Sequence, residues 1–223
     1  MAARGEHVLY GTRNSGSAAV EAALVWVGVP YRVVHASSWE KASARTELKR
    51  VNPLQQIPTL VLPDGTVLTE SAAILIHLAL AHPRRSLLPA DPSSRARALR
   101  ALVYVAANCY AAIGVIDLPQ RWVGSGDAAA AERLRAGARK RLHTLWRVFA
   151  DTFPPAKDGF LFGPEPCAAD ILAAVVSRWS GTRAHLKRHR PTLHAMVERV
   201  EAHPRLKPVF DRHWGAGLVA GPA

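Results

Sequence analysis

The chain has 223 residues, 49% of them hydrophobic, a mean hydropathy of +0.01 and only two cysteines. Such a chain suits one large domain or two small ones, with a sizeable core and no expectation of disorder. Cys109 and Cys167 allow no disulfide framework and no CxxC zinc or dithiol motif, and a net charge of +12 favours anionic partners.

The opening "MAARGEHVLYG" lacks a signal-peptide apolar run, and no uninterrupted apolar stretch of about 18 residues follows. A cytoplasmic protein with no membrane span is the expectation. "HVLYG" (His7–Gly11) reads as a short strand. "SAAVEAALVWVG" has apolar residues at helical spacing, with Gly28 as its stop. "YRVVHA" (Tyr31–Ala36) is β-rich, and "SARTELKRVNP" (Ser43–Pro53) is a short helix ending before Pro53. "TLVLPDGTVLT" (Thr59–Thr69) predicts a β-hairpin turning at Asp64-Gly65, and "ESAAILIHLALAH" (Glu70–His82) an apolar helix. The order is βαβαββα. Its first βαβ unit requires parallel strands, and the hairpin adds an antiparallel edge. This is the element order of a thioredoxin-like α/β domain, from which function does not follow.

"PRRSLLPADPSS" (Pro83–Ser94), with three prolines, reads as a linker. Beyond it strand signals stop. Helices are expected near Ser94–Leu118, Ala128–Phe153, Cys167–Ser180, Thr192–His203 and Pro204–His213, so the second part is all-α. The densest basic run, "RAHLKRHRPTLH" (Arg183–His194), has no binding motif with it. It reads as a solvated face or, less simply, as a contact for an anion, and nucleic acid is not expected. The ten histidines show no ligand spacing, so no metal site is expected.

Two places carry chemistry. In "VNPLQQIPTL" (Val51–Leu60), Pro58 cannot donate to a sheet. It either starts an edge strand in trans or forms a cis bond after Ile57, which would turn the Ile57 backbone outward to pair with an extended peptide. Glu70-Ser71 opens the following helix. It is either a cap or a site for an amino-acid-like group, whose carboxylate meets the helix start and Ser71 and whose ammonium meets Glu70.

Taken together, "VNPLQQIPTLVLPDGTVLTESAAILIHLA" resembles the hallmark of the cytosolic glutathione transferases. The resemblance extends to "HVLYGTRNSGSAAVEAALVWVGVPYRVV" and to "GPEPCAADILAA" (Gly163–Ala174), where Asp170 matches the family's buried aspartate. It implies a thioredoxin-like, glutathione-binding domain at about 5–84 and an all-helical domain at about 95–215 that supplies an electrophile pocket. It implies that Ile57 pairs with the cysteinyl backbone of glutathione ahead of cis-Pro58, that Glu70 and Ser71 hold the γ-glutamyl end, and that Gln56 assists. Lys41 and Arg45 could meet the glycyl carboxylate, or simply face solvent. Glutathione is then the co-substrate, without a metal. The partners are a small hydrophobic electrophile and a second copy of the chain, and the role is detoxification.

The sulfur-handling residues fall in "GTRNSGSAAVE". Counted back from Gly28-Val29-Pro30, Asn14 stands where theta-, zeta- and tau-like members carry serine, and Gly16 where beta-like members carry cysteine. Ser15 matches the second serine of the zeta-like pattern, and Tyr10 is near the tyrosine of alpha- and mu-like members. Ser15 or Asn14 is therefore the expected catalytic donor, with helix capping as the plainer alternative. Gln55 replaces a frequent glycine, and Cys167 replaces a usual Ser or Thr cap. Tyr104, Asn108 and Cys109 are candidates for the electrophile pocket, although Cys109 fits a buried structural thiol at least as well. Other chemistry on the same fold (a glutathione-dependent isomerase, peroxidase or dehalogenase) and a non-catalytic binding module are the alternatives.

Overall fold

Five consecutive buried residues, His7–Gly11, form β1. Helix α1 (Ser17–Val27) follows and stops at Gly28, whose φ of 76° is left-handed and whose N–H reaches the Leu24 carbonyl. β2 (Tyr31–His35) then pairs parallel with β1, as a crossover helix requires. The computed structural model describes residues 5–37, 39–40, 42–124 and 126–215. Contacts divide the chain into two units, Met1–Leu88 with Glu201–Gly221, and Pro89–Val200.

In the first unit, α2 (Arg45–Val51) ends at Asn52, just before Pro53. β3 (Thr59–Val61) and β4 (Val67–Leu68) pair antiparallel, α3 (Ser71–Ala81) follows, and the sheet order is β2-β1-β3-β4. This is the expected βαβαββα thioredoxin-like domain. The hairpin turns through Asp64-Gly65, as expected. Leu62 N–H bonds the Thr66 carbonyl and Gly65 N–H the Leu62 carbonyl, so Asp64-Gly65 lies inside a wider loop than a two-residue turn. The Asp64 carboxylate accepts from Thr66 N–H at 2.8 Å, which favours the longer closure.

The second unit is helical. Its first helix starts at Pro92, capped by the Asp91 carboxylate on Ser94 N–H at 2.7 Å. It runs as α4 (Pro92–Tyr104), a π-helical stretch (Val105–Tyr110) and α5 (Ala111–Asp117). By length and composition alone this run could cross a bilayer. In the fold, α4 packs on α8 (Ala168–Val176) and α5 on α7 (Ala128–Thr152). Between them, α6 (Gln120–Val123) is too short to have shown in the periodicity. α9 (Thr182–His189) was not expected either. It buries only Thr182 and Leu186, so the basic run has no apolar period to read. α10 (Pro191–Ala202) completes the unit.

Every residue of α8 is buried, and Asp170 organises its start. One carboxylate oxygen accepts from Leu161 N–H and the other from Cys167 N–H, both at 2.9 Å. With Cys167 as the N-cap in place of the usual Ser or Thr, a capping box with Asp170 is formed.

The described residues 201–215 group with the first unit rather than with the helical one. α11 (Lys207–Trp214) is held on α1 by a polar cluster. Glu21 is 6% exposed and accepts from His213 Nε2 at 2.7 Å, Arg212 Nη2 at 2.7 Å and the Tyr31 hydroxyl at 3.0 Å. Burial works against ionising Glu21, but the bonds from His213 and Arg212 outweigh it and hold the carboxyl below its ordinary value. Arg205 adds a cation–π contact, 4.5 Å from the Trp26 ring centroid.

Candidate functional site

Sheet register gathers the chemistry at one end of the sheet. Tyr10 is paired with Thr59 where β1 ends and β3 begins, and Leu60 with Leu68 where β4 runs toward α3. The loop after β1, the segment before β3 and the start of α3 therefore share that end.

The loop after β1 is folded tightly on itself. A Cβ at Gly11 would land on the Ser17 side chain, so glycine is required for this close approach. Ser15 and Ser17 are 5% and 2% exposed. The Ser15 hydroxyl donates to the Thr12 carbonyl at 2.7 Å and lies 2.7 Å from the Ser17 hydroxyl, which is itself 3.0 Å from that carbonyl. Ser15 also accepts from Ser17 N–H at 3.2 Å, so its hydrogen is committed inside the loop. Asn14 has a φ of 57° and is half-buried, so it occupies the left-handed corner of the loop. Tyr10 is not placed to help: its hydroxyl donates to Glu47 at 2.6 Å, and burial, reinforced by Glu47, pushes it up to about 12.

A chain of side chains fixes the loop from behind. Glu40 is bonded to His35 Nε2 at 2.7 Å, and His35 Nδ1 lies 3.1 Å from the Thr12 hydroxyl. With Glu40 accepting from Nε2–H, Nδ1 of the neutral ring accepts from Thr12. Sequence reasoning missed this relay because its members lie on separate elements.

Before β3, the Ile57–Pro58 bond is cis. Ile57 is half-buried against the cluster of Val8, Tyr10, Ala36 and Leu48, and its N–H and C=O have no partner among the described residues. Asn52, 4% exposed, shapes the approach. Its Nδ2 donates to the Gln56 carbonyl and to Thr59 Oγ1, both at 3.0 Å, while Oδ1 accepts from Leu54 N–H at 3.1 Å. Asn52 was also missed, although Asn before Pro is recognisable turn chemistry. Gln55 takes a φ of 53°, and the Gln56 side chain is exposed.

At the start of α3, Glu70 is the N-cap residue by position yet its side chain caps nothing. The first helical bond is Ile74 N–H to the Glu70 carbonyl at 3.0 Å, so the N–H groups ahead of it face outward from the helix end. Ser71 is 6% exposed and its hydroxyl has no partner among the described residues. Glu70 is exposed, with φ 64° and ψ 112°, a conformation costing a non-glycine residue about 1–3 kcal/mol. Strain and an unused hydroxyl at one helix start favour a ligand there over simple capping.

The remaining candidates are dispersed. Arg45 opens α2 and is exposed, and Lys41 lies outside the described residues. Tyr104, Asn108 and Cys109 belong to the helical unit. The Tyr104 hydroxyl donates to the Leu145 carbonyl at 3.0 Å, and Asn108 Nδ2 to the Tyr104 carbonyl at 3.2 Å. Cys109 is 0% exposed, and burial pushes its thiol well up. Its burial fits the structural thiol of the two readings. Among the described residues no cluster of His, Cys, Asp or Glu could hold a metal ion.

Residues 6–80 match the family described as "Glutathione S-transferase, N-terminal domain". A maleylacetoacetate isomerase of Rhizobium meliloti is 34% identical over 170 residues, spanning 74% of this chain and 78% of the relative. The chain belongs to the glutathione S-transferase family. The GST-like protein YncG of Escherichia coli is 28% identical over 209 residues, covering 92% and 97% of the two chains. Among solved structures, a glutathione S-transferase from Methylobacterium radiotolerans, in complex with glutathione sulfonate, is 26% identical with a TM-score of 0.70, covering 98% and 99%. A glutathione transferase homologue from Sulfitobacter with bound glutathione superimposes with a TM-score of 0.82 at 22% identity, covering 93% and 98%, a likeness of fold.

Proposed function

We propose that this glutathione S-transferase-family protein binds glutathione at the sheet end formed by the β1 loop, Ile57-Pro58 and Glu70-Ser71, and uses its thiolate on a small apolar electrophile. One observation carries the reading. An unpartnered backbone at Ile57 shares a sheet end with the uncapped start of α3, which suits an extended peptide with a zwitterionic terminus. Ile57 pairs with the cysteinyl backbone, Ser71 and the α3 N–H groups take the γ-glutamyl carboxylate, and Glu70 takes its ammonium. Gln56 flanks the peptide. The positive field of the chain draws the anionic tripeptide in.

The nucleophile is the thiolate, so a hydrogen bond to sulfur is the protein's main chemical contribution. Ser15 would first have to release the Thr12 carbonyl. Asn14, at the half-buried corner of the same loop, is the other candidate donor, assisted by backbone N–H groups at the start of α1. A charged hydrogen bond of about 1.5–3 kcal/mol corresponds to a loss of roughly 10- to 100-fold in kcat/KM for Asn14→Ala. Ser15→Ala acts through loop packing and costs less. Turnover of glutathione with a general aromatic electrophile checks this, together with the pH–rate profile, which should move to higher pH in Asn14→Ala only. Full activity in both variants would overturn the assignment of the donor while leaving the binding site intact.

A second reading is glutathione-dependent cis–trans isomerisation of an unsaturated acid, favoured by the identity to the maleylacetoacetate isomerase of Rhizobium meliloti. It uses the same thiolate, and an assay with such an acid separates it from conjugation. Assembly as a homodimer and a cytoplasmic, detoxifying role rest on the family resemblance.

A further inference from the structure

A basic hollow that no part of the glutathione site uses lies on the helical unit, where α7 meets the basic run that α9 carries. α7 lines it with Arg139, Lys140, His143, Thr144 and Arg147, and α9 contributes His185, around a volume of about 400 Å³. Arg139, His143 and Arg147 recur every four residues and so share one face of α7. No carboxylate lines the cavity. The nearby Asp151 is held by both arms of Arg190, at 2.7 and 2.8 Å. Like charges at this spacing repel, and nothing in the wall offsets them.

The rear wall is rigid. The His143 and His185 rings stack at 4.3 Å with 14° between their planes, and His189 lies 4.5 Å beyond His185. His143 Nε2 is fixed on the Ser180 carbonyl at 3.0 Å, and His185 Nε2 is buried without a partner. Burial, with His143 and His189 beside it, drives His185 down to about 4, so its ring adds no charge near neutrality. The permanent cations that face the space are then Arg139, Lys140 and Arg147, beside the stacked His143 and His185 rings.

We propose that this α7–α9 cavity binds a small phosphate-bearing anion. Guanidinium groups recognise phosphate oxygens in pairs and a lysine adds a point charge, while the Thr144 hydroxyl, 3.2 Å from Arg147 Nη2, positions that guanidinium. The volume suits a di- or triphosphate or a sugar phosphate.

Calorimetry of inorganic pyrophosphate into the full chain at physiological salt tests it. One site per chain with a dissociation constant below about 1 mM is expected. Arg139→Gln with Arg147→Gln should weaken it at least about tenfold and leave glutathione-dependent turnover unchanged. Arg133→Gln, which removes an α7 charge outside the cavity, should change affinity less than about twofold. Absence of binding, several equivalent weak sites, or equal losses in the control and the double variant would overturn the proposal, because each describes a general basic field. So would a duplex oligonucleotide that binds more tightly through Arg139 and Arg147, since the ligand would then be a nucleic acid. All three arginines lie on the surface face of α7, and a thermal melt confirms that each variant is folded.

Discussion

Asp170→Ala is expected to lower the stability of the helical unit by about 3–5 kcal/mol. The carboxylate accepts from both Leu161 N–H and Cys167 N–H, and Asp170 is 0% exposed. Alanine leaves both donors in a water-free interior, at about 1–3 kcal/mol each, and adds a small void. For a chain of this size each kcal/mol shifts the midpoint by about 2–4 °C, so a fall of roughly 10 °C should appear in a thermal melt. Asp170→Asn keeps one acceptor and should lose less. Burial also pushes the Asp170 carboxyl up to about 6. A folded-state value above the unfolded one, about 3.9, favours the protonated group in the fold. Its contribution is present below about pH 4 and is lost as pH rises through 6. Asp170→Asn should therefore flatten the stability profile in that window.

Glu21→Ala should release α11, with a stability loss of about 2–3 kcal/mol. The substitution strips a buried acceptor from His213, Arg212 and Tyr31 at once. The loss is smaller than for a sealed ion pair because Arg212 is half-exposed and can return to water. Here the pH sign is opposite to that of Asp170. The Glu21 carboxyl lies below its ordinary value in the fold, so its stabilisation is present above the unfolded value of about 4.3 and is lost as pH falls through the folded one. Limited proteolysis near Arg205 should quicken in Glu21→Ala at neutral pH, and in the unsubstituted chain only under acid. Equal protection of α11 in both chains at pH 7 would show that apolar packing, not this cluster, holds it.

The two helix starts show what could be read from the chain and what could not. β1, α1 and α3 were legible because a short apolar run, helical spacing and Gly28 are local signals. Ile57-Pro58 and Glu70-Ser71 were legible for the same reason, since each is a short piece with unusual chemistry. The inward turn of Ser15 was not, because it depends on the space that Gly11 leaves beside Ser17. Thr12, His35 and Glu40 meet only after β1 and β2 pair. Glu21 and His213 are 192 residues apart, so no window along the sequence could join them. That distance also explains why α11, a helix by its pattern, joins the first unit by its contacts.

Calorimetric titration of glutathione into the unsubstituted chain and into Glu70→Ala and Glu70→Gly tests the central claim most directly. One molecule per chain is expected to bind with a dissociation constant tighter than about 1 mM, weakening at least about tenfold in both variants. Glu70→Gly, freed of its positive φ, should also melt above the unsubstituted protein, separating the role in binding from the role in folding. A folded, unsubstituted chain that takes up no glutathione at millimolar concentration would contradict the account.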